Sequence, residues 1–299
     1  MRHETTTKLP YWDRCPELGY GGRVDFQEYL AQTYFSDDAL DAHEYGNFKE
    51  LLREVEQFID VGASHGVYTK LALEAMEDGR IISIEADPTR FAVLENNIHE
   101  WAESYSITPE LMMSAASDAK DVDTNSHILF YVTDTQISGS FFPVDERSDD
   151  YRSIEVPIIM IDQIADLDKK TLIKIDVEGA ELRVLNGCTR LIEQHNSEFS
   201  VELSWWGDRE RGTSPFSVLR FAWGHGMRVD RRLRSDYLLR KETNSVRRLI
   251  SILRCCPPLL PRFIFVKFVP KSLRMRIIRR QNERRLSRYQ LDSSSPHEA

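Results

Sequence analysis

The segment Phe58-Ile59-Asp60-Val61-Gly62-Ala63-Ser64-His65-Gly66 closes an apolar run with a carboxylate, then sets two glycines four residues apart ahead of a helix. Glycine lets a backbone turn tightly and approach a ligand closely. A dinucleotide fingerprint would read Gly-x-Gly-x-x-Gly, with pyrophosphate resting on the helix N-terminus. Here Ser64 stands in place of the middle glycine, and Asp60 would repel pyrophosphate. That carboxylate suits a ligand carrying an ammonium and a sulfonium. Glu85 ends the next apolar run, where an acid can accept both hydroxyls of an adenosyl ribose. Ser117 and Asp118 follow a third run and could meet the adenine, although Ser-Asp is also common turn chemistry.

Placing these residues together requires strands that alternate with helices. The pattern predicts strands over 57–61, 80–86, 110–116, 127–134, 154–161, 171–177, 198–204 and 263–268. Helices are expected over 68–76, 88–101, 181–192 and 215–226, with Pro88 at a helix start. Pro157 argues for an edge position or a bulge in its strand. Apolar strands alternating with helices imply an α/β, doubly wound, mostly parallel sheet covered on both faces. Ligands of such sheets bind beyond the strand C-termini, where the acids and glycines fall.

These residues, taken in order, resemble a known family. The stretch Phe58–Gly66, then Ile84-Glu85-Ala86-Asp87-Pro88, Ile161-Asp162, and Ile173-Lys174-Ile175-Asp176-Val177-Glu178-Gly179-Ala180-Glu181 with Leu185 and Gly187, is similar to the FkbM methyltransferases. The resemblance spans roughly residues 56–268. It implies a seven-stranded Rossmann-like class I methyltransferase fold, S-adenosyl-L-methionine as cofactor, and O-methylation of a sugar, glycolipid or polyketide-like hydroxyl. Carried onto this chain, Asp60, Gly62 and Gly66 form the cofactor loop, joined by Ser64, and Glu85 holds the ribose. Ala116, Ser117 and Asp118 flank the adenine, while Asp176, Glu178 and Glu181 lie on the substrate side. Ser64, His65 and Ser204 depart from the family pattern.

Methyl transfer from a sulfonium needs alignment above all, and a poorly nucleophilic hydroxyl gains from a nearby proton acceptor. Asp176 and Glu178 are candidates, against a purely structural reading in which Asp176 holds a turn, Glu178 caps a helix and Lys174 neutralises them. His65 is a second candidate base on the cofactor loop. Trp205 and Trp206 could stack on a sugar ring or belong to the core. An NAD(P)-dependent oxidoreductase and an inactive adenosyl-binding scaffold are the competing functions.

The 299 residues carry 41 % hydrophobic, 29 % charged and 10 % aromatic side chains, an ordinary globular composition. The N-terminal residues lack a signal-peptide apolar core, and the four cysteines (Cys15, Cys188, Cys255, Cys256) show no metal-binding or disulfide spacing. A cytoplasmic protein without a bound metal is expected. The net charge of −9 conceals a basic segment, for 227–291 holds 19 Lys/Arg against 4 Asp/Glu. Such a segment seeks an anionic partner, either the chain's own acidic body or a membrane touched peripherally through residues 247–288. Nucleic acid is disfavoured because no Asn-Pro-Pro-Tyr type signature follows the fourth strand. The expected divisions are an N-terminal cap over 1–50, a methyltransferase domain over 51–270 and a basic helix or tail over 271–299.

Overall fold

The computed structural model describes residues 42–118, 120, 126–133, 151–203, 213–231 and 236–268. Two compact units emerge, one of residues 25–256 and one of residues 1–24 with 257–299. In the first, helix α1 (Ala42–Leu52) leads into β1 (Gln57–Val61), α2 (Val67–Ala75), β2 (Arg80–Glu85), α3 (Pro88–Ala102) and β3 (Glu110–Met113). There follow β4 (Ala115–Ala116), β5 (His127–Thr133), β6 (Tyr151–Ile159) and the short α4 (Ile161–Ile164). The chain continues through β7 (Thr171–Ile175), α5 (Glu181–Asn186), α6 (Thr189–Glu193) and β8 (Ser197–Glu202). It closes with α7 (Pro215–Gly224), β9 (Met227–Arg231), β10 (Asp236–Lys241) and α8 (Ser245–Phe268), whose residues from 257 onward are the described part of the second unit.

Seven strands form one sheet in the order β3-β2-β1-β7-β8-β10-β9. The first five run parallel, while β10 is antiparallel to both β8 and β9. The chain steps outward from β1 to β3 on one side and from β7 to β8 on the other. Right-handed crossovers then carry α2 and α3 to one face and the helices between β7 and β8 to the opposite face. This is the doubly wound arrangement the alternation predicts, with the seven strands the family resemblance implies.

Register determines which side chains share a face. Phe58, Ile81 and Leu172 form one row, and they pack with Phe48, Leu71, Leu94 and Trp101 of α1, α2 and α3 in one core. Two residues further along, Ser83, Asp60, Lys174 and Ser200 form a buried polar row on the same face. The next row falls at the strand C-termini and holds Glu85, Asp176 and Glu202. A three-stranded sheet, β4-β6-β5, has its own apolar cluster, which includes Ala86, Phe130, Val156, Ile158 and Ala180 with Val177 against it.

Some elements differ from the sequence expectation. The run 263–268 is helical within α8, not a strand, since an apolar six-residue run has no periodicity that separates a strand from a buried helix segment. The antiparallel pair β9 and β10, rich in Arg and Asp, takes its place in the sheet. The expected strand 110–116 divides at Ser114, with β3 in the large sheet and β4 in the small one. Pro157 sits in the middle strand of the small sheet, where β4 pairs β6 only at Ile158 and Ile159. No described helix is long and apolar enough to cross a membrane. The tail over 271–299 and Trp205 and Trp206 lie outside the described residues.

Candidate active site

The loop after β1 is built by the chain's own packing. Gly62 and Ala63 both donate to the Ile84 carbonyl at 2.9 Å, tying the loop to the end of β2. Gly62 has φ +83°, and a Cβ there would run into the Asp176 carbonyl. Gly66, at φ +91°, precedes α2, and a Cβ on it would press on Leu94 Cδ1 at 2.8 Å. Both glycines are thus needed to bring protein elements together, independently of any ligand. Between them Ser64 adopts φ +50°, a region that non-glycine residues rarely occupy and that concentrates at functional sites.

Glu85 holds this loop against the next one. Its Oε2 accepts the Ser64 N–H and its Oε1 accepts the Asp87 N–H, both at 2.8 Å. Burial pushes its carboxyl up from the ordinary value, opposed by Arg90 and these two amide donors. Asp87 then caps α3, accepting from Thr89 and Arg90 N–H, with Pro88 in the first turn. Asp60 lies one row deeper, 1 % exposed. It accepts from the Thr69 hydroxyl at 2.8 Å, and burial raises its carboxyl to about 7. The register sets Asp60 and Glu85 on the same face, so two acids border one end of the sheet. Asp60, however, touches Thr69 from beneath the loop.

At the neighbouring strand ends a second acidic group assembles around a buried cation. Lys174 is 1 % exposed. Its Nζ stands 3.4 Å from Asp176, 3.2 Å from Asp236 and 4.8 Å from the centre of the Tyr68 ring. A buried ammonium persists only when paired, and burial is outweighed here by Asp176 and Asp236, which hold the amine well above its ordinary value. Ser200 donates to Asp236 at 2.9 Å.

Asp176 and Glu202, on adjacent strands, share a hydrogen bond. Two carboxyl groups can be joined in this way only if one of them carries a proton. Burial and the Asp176 charge push Glu202 up to about 9. Asp176 stays below its ordinary value because Lys174 and the Glu202 hydrogen bond outweigh its burial. Glu202 is the site residue that strand reading missed. Its signal was present in the alternation of β7 and β8, which puts position 202 beside 176 once the register is known.

The remaining predicted residues separate into two groups. Glu178, at φ +51°, and Gly179, at φ +108°, form the left-handed turn after β7. The Gly179 N–H is bonded to Glu181 at 2.8 Å, and burial raises Glu181 to about 7. Ser117 is buried and its N–H bonds Ile159 at 2.9 Å, while a Cβ on Gly187 would strike the Ser117 carbonyl. Asp118 follows and is half-buried. His65, with Ser64 Oγ 3.3 Å from its Nδ1, is brought down to about 3 by its packed surroundings and by Arg90. Asp162 is structural, accepting the Arg190 and Leu191 N–H groups at 2.8 and 3.1 Å to cap α6.

The chemistry of this donor set fits a sulfonium ligand. Carboxylates (Glu85, Asp176, Glu178) recur along the strand ends, and the 62–66 loop has no Lys or Arg. Pyrophosphate would be repelled there, whereas a sulfonium, an ammonium and a ribose diol all find acceptors.

Comparison with known proteins gives the family. The methyltransferase FkbM domain model matches residues 60–232, more than half of the chain. Among solved structures the chain is similar to a methyltransferase FkbM from Methylobacillus flagellatus KT, with 18 % identity and a TM-score of 0.42. That match covers 71 % of this chain but only 57 % of that one. A precorrin-6y C5,15-methyltransferase from Geobacter metallireducens GS-15 matches at 11 % identity and TM-score 0.39, covering 68 % and 87 % of the two chains. A magnesium protoporphyrin IX methyltransferase from Synechocystis PCC 6803, with bound S-adenosylmethionine, matches at 9 % identity and TM-score 0.39, covering 79 % and 92 %. No curated protein matches the sequence. With its seven-stranded sheet and the family motif distributed along the strand ends, the chain belongs to the FkbM family of S-adenosylmethionine-dependent methyltransferases.

Proposed function

We propose that this protein transfers a methyl group from S-adenosylmethionine to a hydroxyl oxygen of a sugar, glycolipid or polyketide-like acceptor. The observation that carries this reading is the hydrogen-bonded pair Asp176–Glu202 over buried Lys174, at strand ends next to the glycine loop. Family membership sets aside the nicotinamide oxidoreductase. Glu85, with its two amide-held oxygens, is the ribose acceptor. Gly62, Ser64 and Gly66 shape the loop around the cofactor, Asp60 supports it from below, and Ser117 and Asp118 border the adenine.

The cofactor supplies an electrophilic methyl carbon on a good leaving group, so the protein's work is alignment and proton removal. Glu85 and the glycine loop would hold the methyl donor in line with the acceptor oxygen, and Asp176, through its ionised oxygen, would take the hydroxyl proton. Lys174 keeps Asp176 ionised, and the proton held on Glu202 keeps its acceptor oxygen oriented. Glu178, at φ +51° in the turn after β7, is the second acceptor-side carboxylate in this proposal. His65 is the second candidate base in this proposal, its imidazolium disfavoured down to about 3.

The test is release of S-adenosylhomocysteine across a panel of glycan, glycolipid and polyketide hydroxyls, followed by kinetics on the acceptor found. Asp176→Asn is expected to lower kcat by about 10²-fold or more, with cofactor affinity unchanged. Full turnover in Asp176→Asn would end the carboxylate role. Cofactor binding with no transfer to any acceptor would favour the inactive scaffold. The second partner in this proposal is an anionic membrane, touched peripherally through the basic segment 247–288.

A further inference from the structure

Seven large hydrophobic side chains are exposed among the described residues, and five of them are Trp223, Val246, Leu249, Ile250 and Leu253. Trp223 lies on α7 and the other four in the first turns of α8. Positions 246, 249, 250 and 253 repeat at i, i+3, i+4 and i+7, so they form one stripe on one helix face. They are 62 %, 47 %, 44 % and 56 % exposed.

The stripe is not the face by which α8 is held. Ser251 accepts the Val229 N–H at 3.0 Å, the Cys255 thiol points to the Val229 carbonyl at 3.6 Å, and Cys255 is 2 % exposed. Asn244 caps the helix through the Val246 and Arg247 N–H groups. Arg248 lies over the Trp223 ring at 5.2 Å. The helix is thus fixed to edge strand β9 and to α7 on one side, and carries four large aliphatic residues on the other. Arg247 and Arg254, seven residues apart on one flank of the stripe, are both exposed.

From this we infer that the Val246–Leu253 stripe is a docking face for an anionic lipid surface. The inference deepens the membrane reading by locating it on the helix, ahead of the basic tail. An apolar stripe flanked by arginines enters the headgroup boundary in plane, with its cations at phosphate level. A second copy of this chain would bring like charge against like charge, since 227–291 holds 19 Lys/Arg against 4 Asp/Glu. Acids near the helix are already engaged, Asp230 and Glu242 both with Arg228.

The full chain is to be pelleted with vesicles of phosphatidylcholine, with and without phosphatidylserine, and its oligomeric state measured by light scattering. Binding to the phosphatidylserine vesicles is expected. Leu249→Glu with Leu253→Glu should weaken it by about tenfold or more, and Arg247→Glu with Arg254→Glu by a similar, salt-dependent factor. Unchanged thermal midpoints in both variants would certify the fold. Neutralising Arg274, Arg276, Arg279 and Arg280 to Gln should leave the effect of the stripe variants in place. Wild-type binding by the Leu249/Leu253 variant, with loss on neutralising the tail, would overturn the stripe while sparing the membrane reading. Absence of binding in every form would overturn both. A lipid-free dimer that dissociates in the Leu249/Leu253 variant would make a second copy the occupant and overturn the lipid assignment.

Discussion

Glu85 and the Asp176–Glu202 pair place their carboxylates two strands apart, and each can be altered without removing its shape. Glu85→Gln retains the length that accepts the Ser64 N–H but loses the charge. The ribose role proposed for Glu85 then predicts S-adenosylmethionine binding weaker by about tenfold or more, measured by titration calorimetry. The acid pair predicts a particular pH dependence. Glu202 keeps its proton until about 9, so its hydrogen bond to Asp176 lasts only below that point. Turnover should therefore fall as pH passes through about 9, and Glu202→Gln should abolish that inflection while leaving cofactor affinity unchanged. An inflection that survives in Glu202→Gln would assign it to another group. The sequence alone exposes Glu85 and Asp176 because each ends an apolar run. Glu202 also ends one, but only strand order makes it a neighbour of Asp176.

At the scale of elements, two glycines after the strands separate two kinds of constraint. Gly62 has both a left-handed φ and the Asp176 carbonyl where a Cβ would sit. Gly62→Ala is expected to destabilise by about 2–4 kcal/mol in urea unfolding, from backbone strain and displacement of β7 together. Gly179, at φ +108° but with nothing within 4 Å of a Cβ, should suffer only the conformational cost, about 1–3 kcal/mol. Asp87→Ala removes the acceptor at the start of α3 and should cost about 1 kcal/mol. These elements are legible because glycine, proline and capping acids mark their ends locally. The strand expected at 263–268 is not, because Phe, Ile and Val suit either state and the six residues lie inside the long helix α8. The same limit hid β9 and β10, whose charged residues are satisfied by pairs such as Arg240 with Glu198 at 2.6 Å.

Considered as a whole molecule, the protein keeps several carboxyl groups protonated that an unfolded chain would ionise. Burial raises Asp60 to about 7 from 3.8, Glu181 to about 7 from 4.5, and Glu202 to about 9 from 4.5, the last aided by Asp176. Over these intervals the folded state binds more protons than the unfolded one, so stability declines as pH climbs. Denaturation midpoints should fall steadily between about pH 4.5 and 9, and the upper part of that slope should vanish in Glu202→Gln. A flat profile would show that the acids are ionised in the native state. The overall sheet follows from alternation and chain direction, both readable in the sequence. The buried polar row beneath it does not, since Lys174 and Asp236 are 62 residues apart and meet only after β10 has inserted beside β8.

The small sheet shares its apolar cluster with Ala86, directly after Glu85, and with Val177 and Ala180 on either side of Glu178 and Gly179. One keystone thus shores up two turns that belong to different strands. Hollowing it, by Val156→Ala for example, would loosen the ends of β2 and β7 in a single stroke. Mutations at those ends are then not independent of one another, and their effects should fail to add wherever that cluster has been weakened.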